Sequence, residues 1–194
     1  MNLRLAILLP AKINRLAATA GEKLSKQYRQ KKFFLVDGKK LIFHITLFQI
    51  KDVGMAVLEK FFKPIKQFAL FKHPLKLSLS GLECTKDRGL WVALNIKDNR
   101  KLTLFRKNLA RHLKKSGLKI EIGNPYKPHV TLLKFAKADR KVVRELESQK
   151  SPTTSFTPLK FALCADNQYA QVTKVIRSFK LNLLQEDGHL AGHF

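Results

Sequence analysis

The chain has 194 residues, 45% of them hydrophobic, so it can bury a core without disulfide or metal staples. Its 38 Lys and Arg against 14 Asp and Glu give a formal net charge of +24, distributed along the chain. That distribution argues against a disordered basic arm and for a folded body with a basic face, suited to a polyanion, with nucleic acid or an anionic membrane surface first among them.

The first segment, "LRLAILLP", is a near-continuous apolar run that reads as a buried strand. As a secretory signal it is too short, because Pro10 and Lys12 interrupt it before the roughly 7–15 apolar residues of an h-region accumulate. The sequence from 11 to 30 then carries Ile13, Leu16, Ala17, Ala20, Leu24 and Tyr28 on one helical stripe. In "FFLVDGKKLIFHITLFQI", two β-rich runs flank Asp37-Gly38, which predicts a hairpin. A helix is expected from Gly54 to Leu70, kinked or broken at Pro64.

Leu75, Leu77 and Leu79 alternate in a half-buried strand, and "LWVALNIK" forms the next. Leu102, Phe105, Leu109 and Leu113 mark a helix over 100–116, with Gly117 as its stop. After the turn-rich "GNPYKP" comes the strand "HVTLLKF", then a helix over 138–148 and a loop at "SPTTSFTP". Two closing strands are expected over 156–164 and 171–181, and residues 185–194 read as a frayed tail. The pattern is α+β with two similar halves in one domain over 1–194. No run approaches the roughly 18 apolar residues of a membrane span. Cys84 and Cys164 lack a Cys-x-x-Cys spacing and read as reduced thiols. A cytoplasmic, monomeric chain with no membrane partner is therefore expected.

The sequence "FHITLF" and the later "PHVTLL" share His-x-Thr-Leu. Side chains alternate along a strand, so His44 and Thr46 share a face, as do His129 and Thr131. Ile45 and Val130, with Leu47 and Leu132, turn toward apolar packing. Two imidazoles and two hydroxyls facing one cleft suit phosphoester chemistry. A neutral imidazole takes a proton from the attacking oxygen, and a protonated one gives a proton to the leaving oxygen. The hydroxyls bind the non-bridging oxygens. No acidic cluster is present to hold a metal, and no cofactor is expected.

These paired motifs resemble the two-histidine (2H) phosphoesterase superfamily, which includes bacterial 2′-5′ RNA ligase-like proteins and cyclic nucleotide phosphodiesterases. "LAILLPA" resembles its first strand and helix, "FHITLF" and "YKPHVTLLK" its two motifs, and "LSLSGLE…GLWVAL" the strands between. The resemblance implies a bilobal α+β fold of two pseudo-symmetric, antiparallel-rich β-sheet lobes, with outer helices and a central cleft. It implies His44 and His129 as the acid–base pair and Thr46 and Thr131 as the phosphate-binding hydroxyls. It also implies substrates such as RNA or oligonucleotides with 2′,3′-cyclic phosphates or 2′-5′ linkages, or cyclic nucleotides. The stretch "LCADNQYAQV" departs from the Ser and Gly-rich turn that many bacterial members carry there.

Tyr126, in the loop before the second motif, is a candidate to stack on a base, and Arg88 to border the groove. Phe43 and Trp91 read as core. Lys134 points away from the cleft by strict alternation, unless a bulge reverses it. His112 reads as solvated on its helix, His73 as structural or exposed, and His189 and His193 as tail residues. The competing functions are a non-catalytic RNA-binding protein, which the charge alone would support, and a 2′-5′ RNA ligase running the reaction in reverse.

Overall fold

Strand β1 (Leu3–Leu8) sets the pattern of the fold. Leu3, Leu5 and Ile7 are buried in the main core, while Arg4, Ala6 and Leu8 occupy the opposite face. The structure, a computed structural model, describes residues 2–31, 33–38, 40–51, 54–70, 72, 74–86, 90–97, 100–120, 126–137, 140–149, 153–167 and 171–181. After β1 come α1 (Ala11–Gln27), β2 (Phe33–Leu35), β3 (His44–Ile50), α2 (Met55–Leu70), β4 (Leu77–Lys86) and β5 (Leu90–Lys97). They are followed by α3 (Arg100–Lys115), β6 (His129–Phe135), α4 (Arg140–Glu147), β7 (Thr153–Phe156), β8 (Lys160–Asp166) and β9 (Val172–Lys180).

Among the described residues the strand order is β7-β4-β5-β6-β3-β1-β8-β9, with β2 beside β6, and the pairs are antiparallel. Two half-sheets, β7-β4-β5-β6 and β3-β1-β8-β9, meet at β6 and β3, where Ile45 pairs with Val130. These are the two lobes. The helices cross over between them. α1 leaves β1 yet packs on β6 and β2. α3 leaves β5 yet packs on the β1 lobe, with Phe105 edge-on to Phe161 of β8 at 5.9 Å. α2 lies against α3 and β9, and α4 against β4. An approximate two-fold therefore relates β1 to β5, α1 to α3, β3 to β6 and α2 to α4.

Burial follows the sequence periods. α1 buries Ile13, Ala17, Gly21 and Leu24, and α3 buries Leu102, Phe105, Leu109 and Leu113, each a stripe at three- and four-residue steps. Leu90, Val92, Leu94 and Ile96 of β5 are all 2% exposed or less. Each such side chain contributes about 1.5–3 kcal/mol of transfer free energy. The expected stop of α3 at Gly117 is present: its φ of 80° lies in the left-handed region, and Leu118 N donates to Leu113 O at 3.1 Å.

Three expectations need correction. The Asp37-Gly38 turn forms, with Asp37 Oδ1 accepting from Lys40 N and Leu41 N, but it does not join a hairpin. β2 pairs with β6 and β3 pairs with β1, so the turn carries the chain from one lobe to the other. Of the kink or break expected at Pro64, the break does not occur, because α2 runs through the proline. Buried Phe61, Ile65 and Phe68 hold both sides of the proline against the core. The stretch read as a loop at "SPTTSFTP" contains β7, paired with β4 through Leu77–Phe156 to Ser80–Thr153. Its short polar alternation resembles a loop until β4 is there to pair with it. Residues 185–194, His73 and Arg88 lie outside the described residues.

Candidate active site

The junction between lobes brings the two tetrads together. Ile45 and Val130 are directly opposed and completely buried, so both point to the core face. Their neighbours His44, Thr46, His129 and Thr131 therefore share the other face. The antiparallel sense of this pair puts His44 on the Thr131 side of it and Thr46 on the His129 side. At ideal strand spacings of about 4.8 Å across and about 3.3 Å per residue along, four such side chains would emerge from a patch of roughly 5 by 7 Å.

Each tetrad ends in a bulge. Along β1 and β3, Leu5 pairs with Phe48 but Ala6 with Thr46, which leaves Leu47 as the extra residue. Along β5 and β6, Val92 pairs with Leu133 but Ala93 with Thr131, which leaves Leu132 extra. The leucine at the fourth position of each tetrad is thus the bulged residue, and both are buried. A bulge frees a ladder carbonyl, and both are met by outside donors. Leu47 O accepts from Arg106 Nε at 2.8 Å, and Leu132 O accepts from Val36 N at 2.8 Å.

The bulges also return the residue five positions after each histidine to the site face. These are Gln49, opposite Arg4, and Lys134, opposite Trp91. Two sequence expectations change here. Lys134 turns toward the site face because of the bulge. Trp91 is half-buried on that face instead of in the core, with the Lys134 amine 4.3 Å from its ring centroid. Phe43 is core, as expected.

The imidazoles are oriented identically. His44 Nδ1 lies 2.8 Å from Ile42 O, and His129 Nδ1 lies 3.0 Å from Lys127 O. A carbonyl only accepts, so Nδ1 carries the hydrogen in each neutral ring and Nε2 is left for the site. Their surroundings differ. His44 is 5% exposed, whereas His129 is exposed to solvent. Burial, with smaller contributions from the charges of Arg4 and His129, lowers the His44 pKa to about 3 against a raising contribution from Ile42 O. His44 is therefore held neutral at ordinary pH.

Thr46 is half-buried and Thr131 is 8% exposed. Arg4 Nη1 donates to Thr46 Oγ1 at 2.7 Å, and Arg4 Nη2 to Asp166 Oδ2 at 3.2 Å. Tyr126 OH donates to Thr46 O at 2.8 Å, and the Arg106 guanidinium lies 4.4 Å from its ring centroid. Burial pushes the Tyr126 hydroxyl well above the usual phenol range, opposed by Arg106. The tyrosine anchors the loop before β6 to the other lobe, a task different from the base stacking expected of it. His112, expected in solvent, turns toward α2, with Nε2 3.0 Å from Pro64 O. Both cysteines are free thiols; Cys164 is buried on the site face, across from Arg4. The sequence reading missed Arg4 and Asp166. Arg4 is the one charge in an otherwise apolar β1, while Asp166 closes a β8 that begins with a second charge, Lys160.

The family model for the AKAP7 2′5′ RNA ligase-like domain matches residues 10–182. A curated RNA 2′,3′-cyclic phosphodiesterase from Aquifex aeolicus (strain VF5) is 28% identical over 107 residues, covering 53% of this chain and 56% of that protein. The match thus spans little more than half of that relative's length. Among solved structures, TT0787 of Thermus thermophilus superposes with a TM-score of 0.64 at 18% identity, covering 93% of this chain and 98% of that one. Apo LigT of E. coli gives 0.60 at 18% identity, covering 93% and 97%. Usb1 of Kluyveromyces marxianus with uridine monophosphate gives 0.55 at 14% identity, covering 93% and 98%. At these identities the structures speak to the fold, and they share its two lobes. The matched family model, together with the fold, shows that the chain belongs to the AKAP7 2′5′ RNA ligase-like domain family, within the two-histidine phosphoesterases.

Proposed function

We propose that the protein is a metal-independent phosphodiesterase that hydrolyses a 2′,3′-cyclic phosphate or a 2′-5′ linkage in RNA, oligonucleotides or small cyclic nucleotides. The observation that carries this reading is the pair of imidazole–hydroxyl sets on one face, each imidazole tied through Nδ1 to a carbonyl. Supporting it are the relative named as an RNA 2′,3′-cyclic phosphodiesterase and a fold shared with LigT, which has been solved with 3′-AMP. The alternative of RNA binding alone leaves the duplicated histidines without a task.

Unequal burial supports a division of labour. His44, held neutral, takes a proton from the attacking water through Nε2. The water oxygen bonds to phosphorus as the bond to the ribose oxygen breaks. His129, exposed and able to exchange protons with solvent, gives a proton from Nε2 to that leaving oxygen. The products are a phosphomonoester and a ribose hydroxyl, and solvent resets the two rings. Thr46 and Thr131 hydrogen-bond the non-bridging oxygens as charge builds on them. The leaving sugar belongs to the nucleoside, which this assignment puts on the His129 side. Lys134 provides a cation there for an adjoining phosphate. The same groups run backwards would join a 2′-5′ linkage, so hydrolysis and ligation share one site.

The test is a substrate panel in excess EDTA: 2′,3′-cyclic-phosphate RNA, 2′-5′ and 3′-5′ oligonucleotides and small cyclic nucleotides, with the product phosphate position read out. Hydrolysis of a cyclic phosphate or 2′-5′ linkage is expected to persist in EDTA. Salt-sensitive RNA binding with no turnover of any substrate would favour the binding-only alternative.

A further inference from the structure

Arg4 stands in β1 between Leu3 and Leu5, both 0% exposed, and is itself 8% exposed. Asp166 supports it from β8, with a completely buried carboxylate 3.2 Å from Nη2. A buried ion pair adds little stability, because both ions lose their water and apolar residues of similar volume do as well or better. The pair therefore suggests a task other than holding the sheet together. That task is visible at the other end of the guanidinium, where Nη1 donates to Thr46 Oγ1 at 2.7 Å. A guanidinium only donates, so the Thr46 oxygen accepts and its single hydroxyl hydrogen is left to donate elsewhere. Tyr126 fixes the carbonyl of the same residue. The other lobe is built differently: Trp91 stands two residues before Ala93, the strand partner of Thr131, just as Arg4 stands two before Ala6, the partner of Thr46.

We propose that Arg4, held by Asp166, is a positioning residue that makes the Thr46 hydroxyl a committed donor to the substrate phosphate. Thr46 then carries a larger share of transition-state stabilisation than Thr131. The inference depends on the phosphodiesterase reading above. It is tested by replacing the pair together, Arg4→Met with Asp166→Leu, so that no buried charge is stranded, and measuring Tm and hydrolysis of 2′,3′-cyclic AMP. The expected double variant keeps a Tm at or above that of the unaltered protein. Its kcat falls by at least about 10-fold, with KM changed by less than about 3-fold, as befits a donor bond that strengthens in the transition state. Arg4→Lys restores part of the rate. Introduced into a Thr46→Val background, the double change costs less than about a further 2-fold, whereas in Thr131→Val it keeps its whole effect. An unchanged kcat, or an equal loss with and without the Thr46 hydroxyl, overturns the proposal while leaving the phosphodiesterase reading intact. An unaltered protein inactive on every member of the substrate panel overturns both.

Discussion

The two imidazoles donate to the same kind of anchor, a backbone carbonyl, and differ in burial, and that difference has consequences for pH. An unfolded His44 would protonate near its ordinary pKa of about 6.5, while the folded one resists down to about 3. Unfolding therefore takes up a proton between those values. Stability fully present above about pH 6.5 declines as pH falls through this window, by at most about 1.4 kcal/mol per pH unit. Urea midpoints at about pH 7 and about pH 4.5 are expected to differ less in His44→Gln than in the unaltered protein. On the proposed mechanism, the same depression is expected to place the acid limb of kcat/KM well below pH 6. The four side chains of the tetrads were legible in the sequence because strand alternation is strictly local. Arg4 was not, since its partners Thr46 and Asp166 come from distant strands and nothing near it in sequence announces them.

At the scale of elements, each tetrad's leucine is the extra residue of a bulge. The one-residue offset it absorbs is why Gln49 and Lys134, five positions after the histidines, lie on the site face and not on the opposite one. Alternation alone gives Lys134 the wrong direction, because a bulge becomes evident only once the partner strand is known. The hairpin that was expected and did not form has a related cause: a strong Asp-Gly turn fixes local direction but not which strands pair. The support beneath the first bulge is testable. Arg106→Met removes the donor to Leu47 O and the guanidinium held against Phe48 and Tyr126, and is expected to cost about 1–3 kcal/mol by urea denaturation. Gly38→Ala is expected to cost at least about 1–2 kcal/mol by the same measurement. Its φ of 73° disfavours a side chain, and an added Cβ would meet the Phe43 ring at 3.0 Å. Because Phe43 directly precedes His44, activity should fall with it.

For the whole molecule, the fold places two quasi-equivalent strands side by side and so makes one site from two halves, while the net charge of +24 extends the field well beyond it. Long and short substrates should therefore respond differently to salt. For an RNA oligonucleotide, log(kcat/KM) is expected to fall with log salt by roughly 0.7 per phosphate contacted, whereas a cyclic mononucleotide should show a shallow slope. Equal slopes would mean that the basic surface takes no part in binding. The α+β class and the two-half order were legible from periodicity, since each helix and most strands carry their own apolar pattern. The crossing of α1 and α3 to the opposite lobes was not, because it is decided by packing between halves.

The central claim is that the two lobes act as one acid–base unit. The most direct test is single-turnover hydrolysis of a 2′,3′-cyclic-phosphate substrate by His44→Ala, His129→Ala and the double variant, each checked for folding. Each single variant is expected to lose on the order of 10²–10⁴ in rate, with the double variant scarcely worse than either. A folded single variant within a few-fold of the unaltered protein would contradict the account.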